Sequence, residues 1–426
     1  MEKKLTLEYA RELDKKDVLA RYKEEFYLPS YLYYEANGLG PMSRRSEATL
    51  LRVASEWKEQ LVAGWFSGKI PWFYYPERIA DMERDLVGAV DKELIINGTT
   101  TTNIHCVLAS FYRPQGKRTK ILCDRQIFSS DKYAVDGQIR LKGMDPEAEL
   151  ILGGGEELLL DEEKIVEAMT PEVALVFLGS VIHSTGQLLD MEYLTEEAHK
   201  RGIPIGFDLS HSAGVVPHKL HDWKVDFAVW CNYKYLNGGL GCPATLFIHE
   251  SNFSVYPAMP GWHGYKKSLQ FKKLPEFEPE TGAGGWQHGS PMILNIAPLE
   301  GALEMIQEAG IDKIRRKSLE MTGFFMELVK EKLMPLGAQI ITPEEAKRRG
   351  GHVTIAHIAS EEMTEFLDSG SHITKELKEA AEKKIKSEKR PDASNQVRIA
   401  FSPLFTSFAD VWQTAENLYG LLKNKD

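Results

Sequence analysis

The sequence predicts an α/β fold, a mostly parallel sheet with crossover helices, joined to a smaller α+β domain. Two observations predict it. Between about residues 85 and 250, short runs rich in β-branched and aromatic residues alternate with helical patterns, the rhythm of strand–helix–strand units. Beyond about residue 295 the rhythm changes to long amphipathic patterns over 295–334 and two separate apolar runs, "HVTIAHI" and "VRIAF".

Taken in order, residues 42–62 place Leu50, Ala54, Trp57 and Leu61 at helical spacing, which predicts an apolar stripe lying on a core. Next come the run "TKILCD" (119–124), a helix near 160–169, "VALVFLG" (173–179) and a helix near 190–201. "IPIGFD" (203–208) and "VDFAVW" (225–230) complete the series. The expected division is an amino-terminal segment 1–64 that packs with the small domain, a large domain 65–300 and a small carboxyl-terminal domain 301–426. The charged helical pattern at 361–390 reads as a solvated face.

Composition narrows the function. With 426 residues, 43% hydrophobic and 27% charged, the chain has the make-up of an ordinary globular protein. A formal net charge of −10 argues against nucleic-acid binding, which needs a basic face to displace counterions from phosphates. The amino terminus lacks the apolar core of a signal peptide and no later run is long enough to span a bilayer, so a cytoplasmic protein without membrane contact is expected. Cys106, Cys123, Cys231 and Cys242 lack CxxC spacing, which predicts reduced, packed thiols and no metal site. Glycine clusters at 153–155, 238–241 and 282–285 match neither nucleotide-binding pattern and read as turns.

In parallel sheets ligands bind beyond the carboxyl ends of the strands, so the residues just after each run matter most. "IPIGF" ends in Asp208, with His211 three residues on, and "VDFAVW" runs into "CNYK", which brings Lys234 to the neighbouring strand end. Singly, such a lysine is ordinarily a surface residue and such an aspartate a helix cap. Together they supply what a pyridoxal 5'-phosphate site needs: an amine for the aldehyde carbon and an anion for the pyridinium nitrogen. "NGTTTTN" (97–103) precedes a helical pattern, so Thr100 and Thr101 can offer a helix amino terminus to a phosphate, although a plain cap reads equally well there. "IFSSD" (127–131) adds the ring of Phe128 for stacking, Ser129, Ser130 and the carboxylate of Asp131.

These residues carry a family resemblance. From about Tyr31 onward the chain resembles the kynureninases, pyridoxal phosphate enzymes of the fold type I aminotransferase superfamily, most specifically over "IGFDLSHSAGVVPHKLHDWKVDFAVWCNYKYLNGGLG" (205–241). "GKIPW", "FSSDKYA", "STGQLLDMEYLTEEAHKRG", "PGWHG" and "VRIAFSPLFTSFADV" extend it. The resemblance implies that Lys234 is the Schiff-base lysine, that Asp208 partners the pyridine nitrogen, and that His211 lies by the cofactor. It further implies Thr100, Thr101 and Tyr233 as cofactor contacts and Arg398 as the arginine for the substrate α-carboxylate. It implies a homodimer too, with Trp262 and Ser290 reaching the partner's phosphate site. Ser129 stands where the family usually has proline, and Asn37-Gly38-Leu39-Gly40 where it usually has Asn-Ser-Leu-Gly.

The implied activity is hydrolysis of the Cβ–Cγ bond of L-kynurenine, and of 3-hydroxykynurenine, to anthranilate or its 3-hydroxy form and L-alanine, within tryptophan catabolism and NAD biosynthesis. Trp65 and the Gly289-Ser290 pair match bacterial rather than animal enzymes, implying a preference for kynurenine. Trp65 and Asn37 are the remaining substrate candidates, and the aromatic group Trp65, Trp72, Phe73, Tyr74 and Tyr75 reads as packing for most members. Tyr233 is the candidate proton donor, and Tyr235 reads as packing. Rival readings are an aminotransferase, a cysteine desulfurase, or a cofactor-binding protein without turnover. A desulfurase needs a mobile cysteine late in the chain, and no cysteine follows Cys242.

Overall fold

The computed structural model describes residues 5–360, 363–364 and 395–423. The charged pattern at 361–390 therefore lies almost wholly outside the described residues. A seven-stranded sheet has the order β1-β7-β6-β5-β4-β2-β3, formed by β1 (Leu94–Ile96), β2 (Lys120–Asp124), β3 (Leu150–Gly153), β4 (Val173–Gly179), β5 (Ile205–Asp208), β6 (Phe227–Trp230) and β7 (Thr245–Ile248). β3, β2, β4, β5 and β6 run parallel, and β7 is antiparallel to both of its neighbours.

The strands are apolar on both faces because helices cover both. Leu122, Val176, Phe207, Ala228 and Phe247 face one core; Cys123, Phe177, Phe227, Val229 and Leu246 face the other. This is the period-two alternation of a sheet buried on two sides. Helices Thr100–Phe111 and Ser129–Leu141 lie on the second face, and Met191–Lys200 and Ile293–Ala309 on the first.

A separate three-stranded antiparallel sheet, β10-β9-β8, is formed by β8 (Gln339–Ile340), β9 (His352–Ala356) and β10 (Gln396–Ala400). Its core includes helices Ile311–Leu328 and Phe408–Lys423 and the first helix, Leu7–Lys16. Asp14 of that first helix accepts from Phe408 and Ala409 N–H, capping the last helix and tying the two chain ends together.

One expectation holds only in part. Helix Arg44–Gln60 forms, and Leu50 packs against the main core, but the end of the stripe does not: Trp57 is 56% exposed and Leu61 65%. The buried residues are Ser46, Thr49 and Val53, which face helix Ile293–Ala309. The reason is close packing. Thr49 Oγ1 donates to Ala297 O at 2.7 Å, and a Cβ on Gly301 would come within 2.3 Å of the Arg45 backbone, so only small residues fit the crossing. β1, β3, β7 and β8, all four residues long or shorter, were not anticipated from the sequence.

Candidate active site

The site lies where the carboxyl ends of β2, β5 and β6 meet the amino termini of two helices. Four successive threonines divide the work at the first helix. Thr99 caps it by accepting from Thr102 N, and the Thr102 hydroxyl in turn accepts from Thr99 N. Thr100 and Thr101 are left as the first two helical residues, whose N–H groups have no intrahelical acceptor. The second helix starts at Ser129 after Phe128, with no side-chain cap. Thr101 Oγ1 lies 3.0 Å from Ser130 Oγ, so the two positive helix ends stand side by side, an arrangement suited to a phosphate.

Three carboxyls line the next layer. Asp208 ends β5 and accepts from Ser210 N at 2.7 Å. Asp131, the third residue of its helix, is buried and hydrogen-bonded to Asp208; burial first, and then the Asp208 charge, push its pKa well above the usual carboxylate range. Asp124 ends β2, accepts from Gly179 N, and is pushed up to about 6 by burial. Like charges crowded in low dielectric favour a shared proton or a cationic N–H donor, and a pyridinium nitrogen is such a donor.

Lys234 follows β6 on a turn that is fastened on several sides. Trp230 Nε1 donates to the buried Glu83 at 2.7 Å, Asn232 donates to Pro243 O and Thr245 Oγ1, and Cys231 N donates to Ser210 Oγ. From the amino-terminal segment, Gly40 N donates to Tyr233 O at 2.7 Å. A Cβ at Gly40 would sit 2.2 Å from Asn237 Oδ1 and 2.6 Å from Lys234 O, so this position requires glycine. Lys234 Nζ lies 3.0 Å from His211 Nε2. Burial, then the charge of Lys234, hold the His211 pKa well below its usual value, so its imidazole is neutral and accepts from the amine. Proximity to the Cys231 sulfur, then burial, raise the Tyr233 phenol, keeping its proton in place.

Phe128 meets His183 edge-on at 5.3 Å, and both border the same cavity as Asp124, Asp131, Asp208 and His211. Arg398, in the middle of β10, donates from Nη1 to His183 O at 3.1 Å. It borders a second cavity with Asn37 and Glu35. The Arg398 charge also acts on His211 and on fully buried His352, whose rings are 5.9 Å apart. The small sheet thus brings its arginine against the strand ends of the large one.

Trp65, Trp262 and Ser290 belong to another surface. Trp65 packs against Trp72 and His263, Trp262 meets Phe271 edge-on, and Ser290 is exposed. Of the remaining aromatic group, Trp72, Phe73 and Tyr75 are buried, and Tyr75 donates to Glu300 at 2.6 Å. The sequence reading passed over Asp124, His183, His352 and Glu83. Asp124 carries the same signal as Asp208, an acid closing an apolar run, whereas His183, in a turn, and His352, at the start of β9, lie far apart in sequence and only the fold brings them together.

The residues fit pyridoxal phosphate, the cofactor implied by the resemblance. Asp124 Oδ1 and His211 Nδ1 are buried without a hydrogen-bond partner beside the lysine, the acid pair and the twin helix ends. Such orphans are rare in folded proteins and mark a place where a polar ligand belongs.

Known proteins agree. The family model described as the kynureninase C-terminal domain matches residues 314–418. A kynureninase of Geobacillus thermodenitrificans is 44% identical over 99% of this chain and 95% of its own length, and one of Bacillus anthracis is 41% identical with the same coverage. Among solved structures, the apo cysteine desulfurase of Thermococcus onnurineus superposes with a TM-score of 0.73 at 18% identity, covering 97% of this chain and 98% of its own. A C-DES mutant with glycine covalently linked to its PLP cofactor also gives 0.73, at 14% identity, covering 94% of this chain and 98% of its own. Those two share the fold, whereas the full-length relatives share the sequence, and on that ground the chain belongs to the kynureninase family.

Proposed function

We propose that this chain is a pyridoxal 5'-phosphate hydrolase that cleaves the Cβ–Cγ bond of L-kynurenine, adding water to release anthranilate and L-alanine. The observation that carries the reading is the contact of Lys234 Nζ with a neutral His211 at 3.0 Å, beside the Asp131–Asp208 pair, in a chain of this family.

Bound there, the cofactor supplies an electron sink for negative charge developing on the substrate carbons. Thr100, Thr101, Ser129 and Ser130 would hold its phosphate at the paired helix ends, Phe128 would lie against its ring, and the Asp208–Asp131 pair would accept from its protonated nitrogen. Lys234 Nζ takes the proton from the substrate Cα, with His211 keeping the amine aimed. The Tyr233 hydroxyl returns a proton to the three-carbon fragment. Arg398 grips the α-carboxylate in a charge-assisted bond worth about 1.5–3 kcal/mol. Asn37, at the Arg398 cavity, borders the rest of the substrate, and Trp65, on the surface shared with Trp262 and Ser290, reaches it from the partner subunit; the choice of kynurenine over 3-hydroxykynurenine lies in the Trp65 and Gly289-Ser290 surroundings.

The active form is a homodimer in which Trp262 and Ser290 complete the partner's phosphate site. Supporting this, Phe66, Phe271 and Trp262 are exposed and touch one another through Phe271, forming an apolar patch around Trp262. The division into segments 1–64, 65–300 and 301–426, a cytoplasmic location, and a place in tryptophan catabolism belong to the same reading. Among the described residues no helix is long and apolar enough to cross a membrane.

Purified protein mixed with pyridoxal phosphate and kynurenine should release anthranilate, followed by its fluorescence, and an equal amount of alanine. Lys234→Ala should release neither. No product from the wild type sinks the assignment, and full activity in the variant sinks the role of the lysine.

A further inference from the structure

Among the described residues, one group outside the candidate active site has the composition and spacing of a metal centre. One ring nitrogen each from His221 and His249 and a carboxylate oxygen of Glu93 lie within 4.8 Å of one another. They come from three segments that meet at the amino end of β6, opposite the end that leads to Lys234. Glu93 directly precedes β1, His249 directly follows β7, whose Ile248 pairs with Phe227 of β6, and His221 lies in the loop before β6. Each backbone is fixed: Glu93 O accepts from Ile248 N at 2.9 Å, His249 N donates to Asp226 O at 3.1 Å, and His221 N donates to Gly88 O at 3.1 Å. The cysteine spacing that argues against a metal site does not bear on this group, which contains no cysteine.

The ligand atoms are also prepared. Glu93 is fully buried, and Val90 N donates to its Oε2 and Glu250 N to its Oε1, both at 2.9 Å, which holds the carboxylate in place. His221 Nδ1 lies 2.9 Å from the same Oε1, with one proton between them, and a metal ion takes over such a proton's place when it binds. The His249 ring stacks on that of His221, with centroids 5.0 Å apart and planes 19° from parallel. Its Nε2 reaches His221 O at 3.1 Å, a carbonyl that also accepts from Lys224 N at 3.0 Å, so this nitrogen can turn to an ion without stranding the oxygen. On the other side of the ring, Nδ1 lies 2.8 Å from Ser251 Oγ and 3.1 Å from Ser251 N. Donation from Nδ1 to the hydroxyl fixes the tautomer that offers Nε2 to a metal. A shared proton serves Glu93 and one ring, whereas a divalent cation serves the carboxylate and both rings.

We propose that Glu93, His221 and His249 bind a zinc ion, with water in the fourth position. Two imidazoles and a carboxylate are a set that zinc takes in tetrahedral geometry. The side chain of His221 is 26% exposed, which gives the ion a way in and the water its place. The ion braces the start of β1, the end of β7 and the loop before β6, at a distance from the chemistry of Lys234.

The test uses cofactor-loaded protein, treated with a chelator, desalted, and titrated with ZnCl2 by calorimetry. The wild type should take up one equivalent per chain, and its Tm should rise with zinc, as binding to the folded state requires. Loss of an outer partner of a metal ligand costs about 10–100-fold in affinity, so His221→Ala, which removes a ligand, should cost at least about 100-fold. Ser251→Ala removes only the hydroxyl beside His249, at an exposed position, and should weaken zinc binding about tenfold with an unchanged Tm in the absence of zinc. This second variant decides the matter if the first does not fold. No uptake by the wild type, a full equivalent held as tightly by His221→Ala, or unchanged affinity in Ser251→Ala would each overturn the proposal.

Discussion

Lys317 and Lys234 are both drawn in from solvent, Lys317 fully and Lys234 in part, and they differ in their company. Lys317, on helix Ile311–Leu328, is buried and paired with the Asp17 carboxylate at 2.7 Å, with Asp14 close by. Lys234, at the end of β6, meets the neutral imidazole of His211 at 3.0 Å. Burial lowers the Lys317 pKa and the Asp17 carboxylate pulls it back, so the pair acts as a rivet between chain segments. A neutral acceptor beside buried acids leaves the amine aimed but not locked to a counter-charge. Company as well as burial separates a structural lysine from one available for chemistry.

Exchanging the two losses gives the strongest test. Lys234→Ala should lower anthranilate release by a factor of about 1,000 or more, the scale at which activated nucleophiles and bases contribute, with an unchanged urea midpoint. Lys317→Ala should do the reverse. Removing one member of a buried pair costs about 3–5 kcal/mol, so the urea midpoint should fall sharply, while turnover per folded molecule stays within about twofold. If Lys317→Ala loses activity without losing stability, the contrast between the lysines collapses.

Acid sharpens the same contrast, because the neutral-imidazole side of the molecule must charge as pH falls. His352, near the site, and His218, bonded to Ser212 behind it, are fully buried and both depressed to about 3 by burial. Their folded pKa lies below the unfolded value of about 6.5, so the stability they represent is complete above that value. It is lost progressively as pH drops from there toward 3. At pH 5 each should have cost about 2 kcal/mol. Urea midpoints of wild type, His352→Gln and His218→Gln at pH 7.5 and 5 should show a shallower decline in each variant. Parallel declines would mean that these rings are not the acid-sensitive groups.

The smallest effect is expected at the helix beside the site. Ser129 is the first residue of its helix, and Phe128 before it has φ −60° and ψ 139°, a conformation open to a residue that precedes proline. Ser129→Pro should therefore raise stability by about 0.4–1 kcal/mol, through loss of freedom in the unfolded chain. A lowered Tm would show that the first turn needs the Ser129 N–H or side chain.

The strand-end rule was the most readable part of the sequence. It put Asp208 and Lys234 at the ends of adjacent strands, where β5 and β6 now stand in register. The same rule applied to "TKILCD" reaches Asp124, which borders the same cavity. Helix Arg44–Gln60 was legible as a helix but not in its orientation, because close crossing at Gly301 selects small residues over the apolar stripe. His183 and His352 could not be found from spacing, since they come from segments 169 residues apart on different sheets' loops and strands and are joined only by tertiary packing around Arg398.

The contrast between the two lysines is the central claim, and covalent labelling tests it most directly. The protein is loaded with pyridoxal phosphate, reduced with borohydride, digested, and mapped by mass spectrometry. The account predicts the cofactor's mass on Lys234, in the peptide containing "WCNYKYLN", and none on Lys317. A label on another lysine, or none on Lys234, would contradict it.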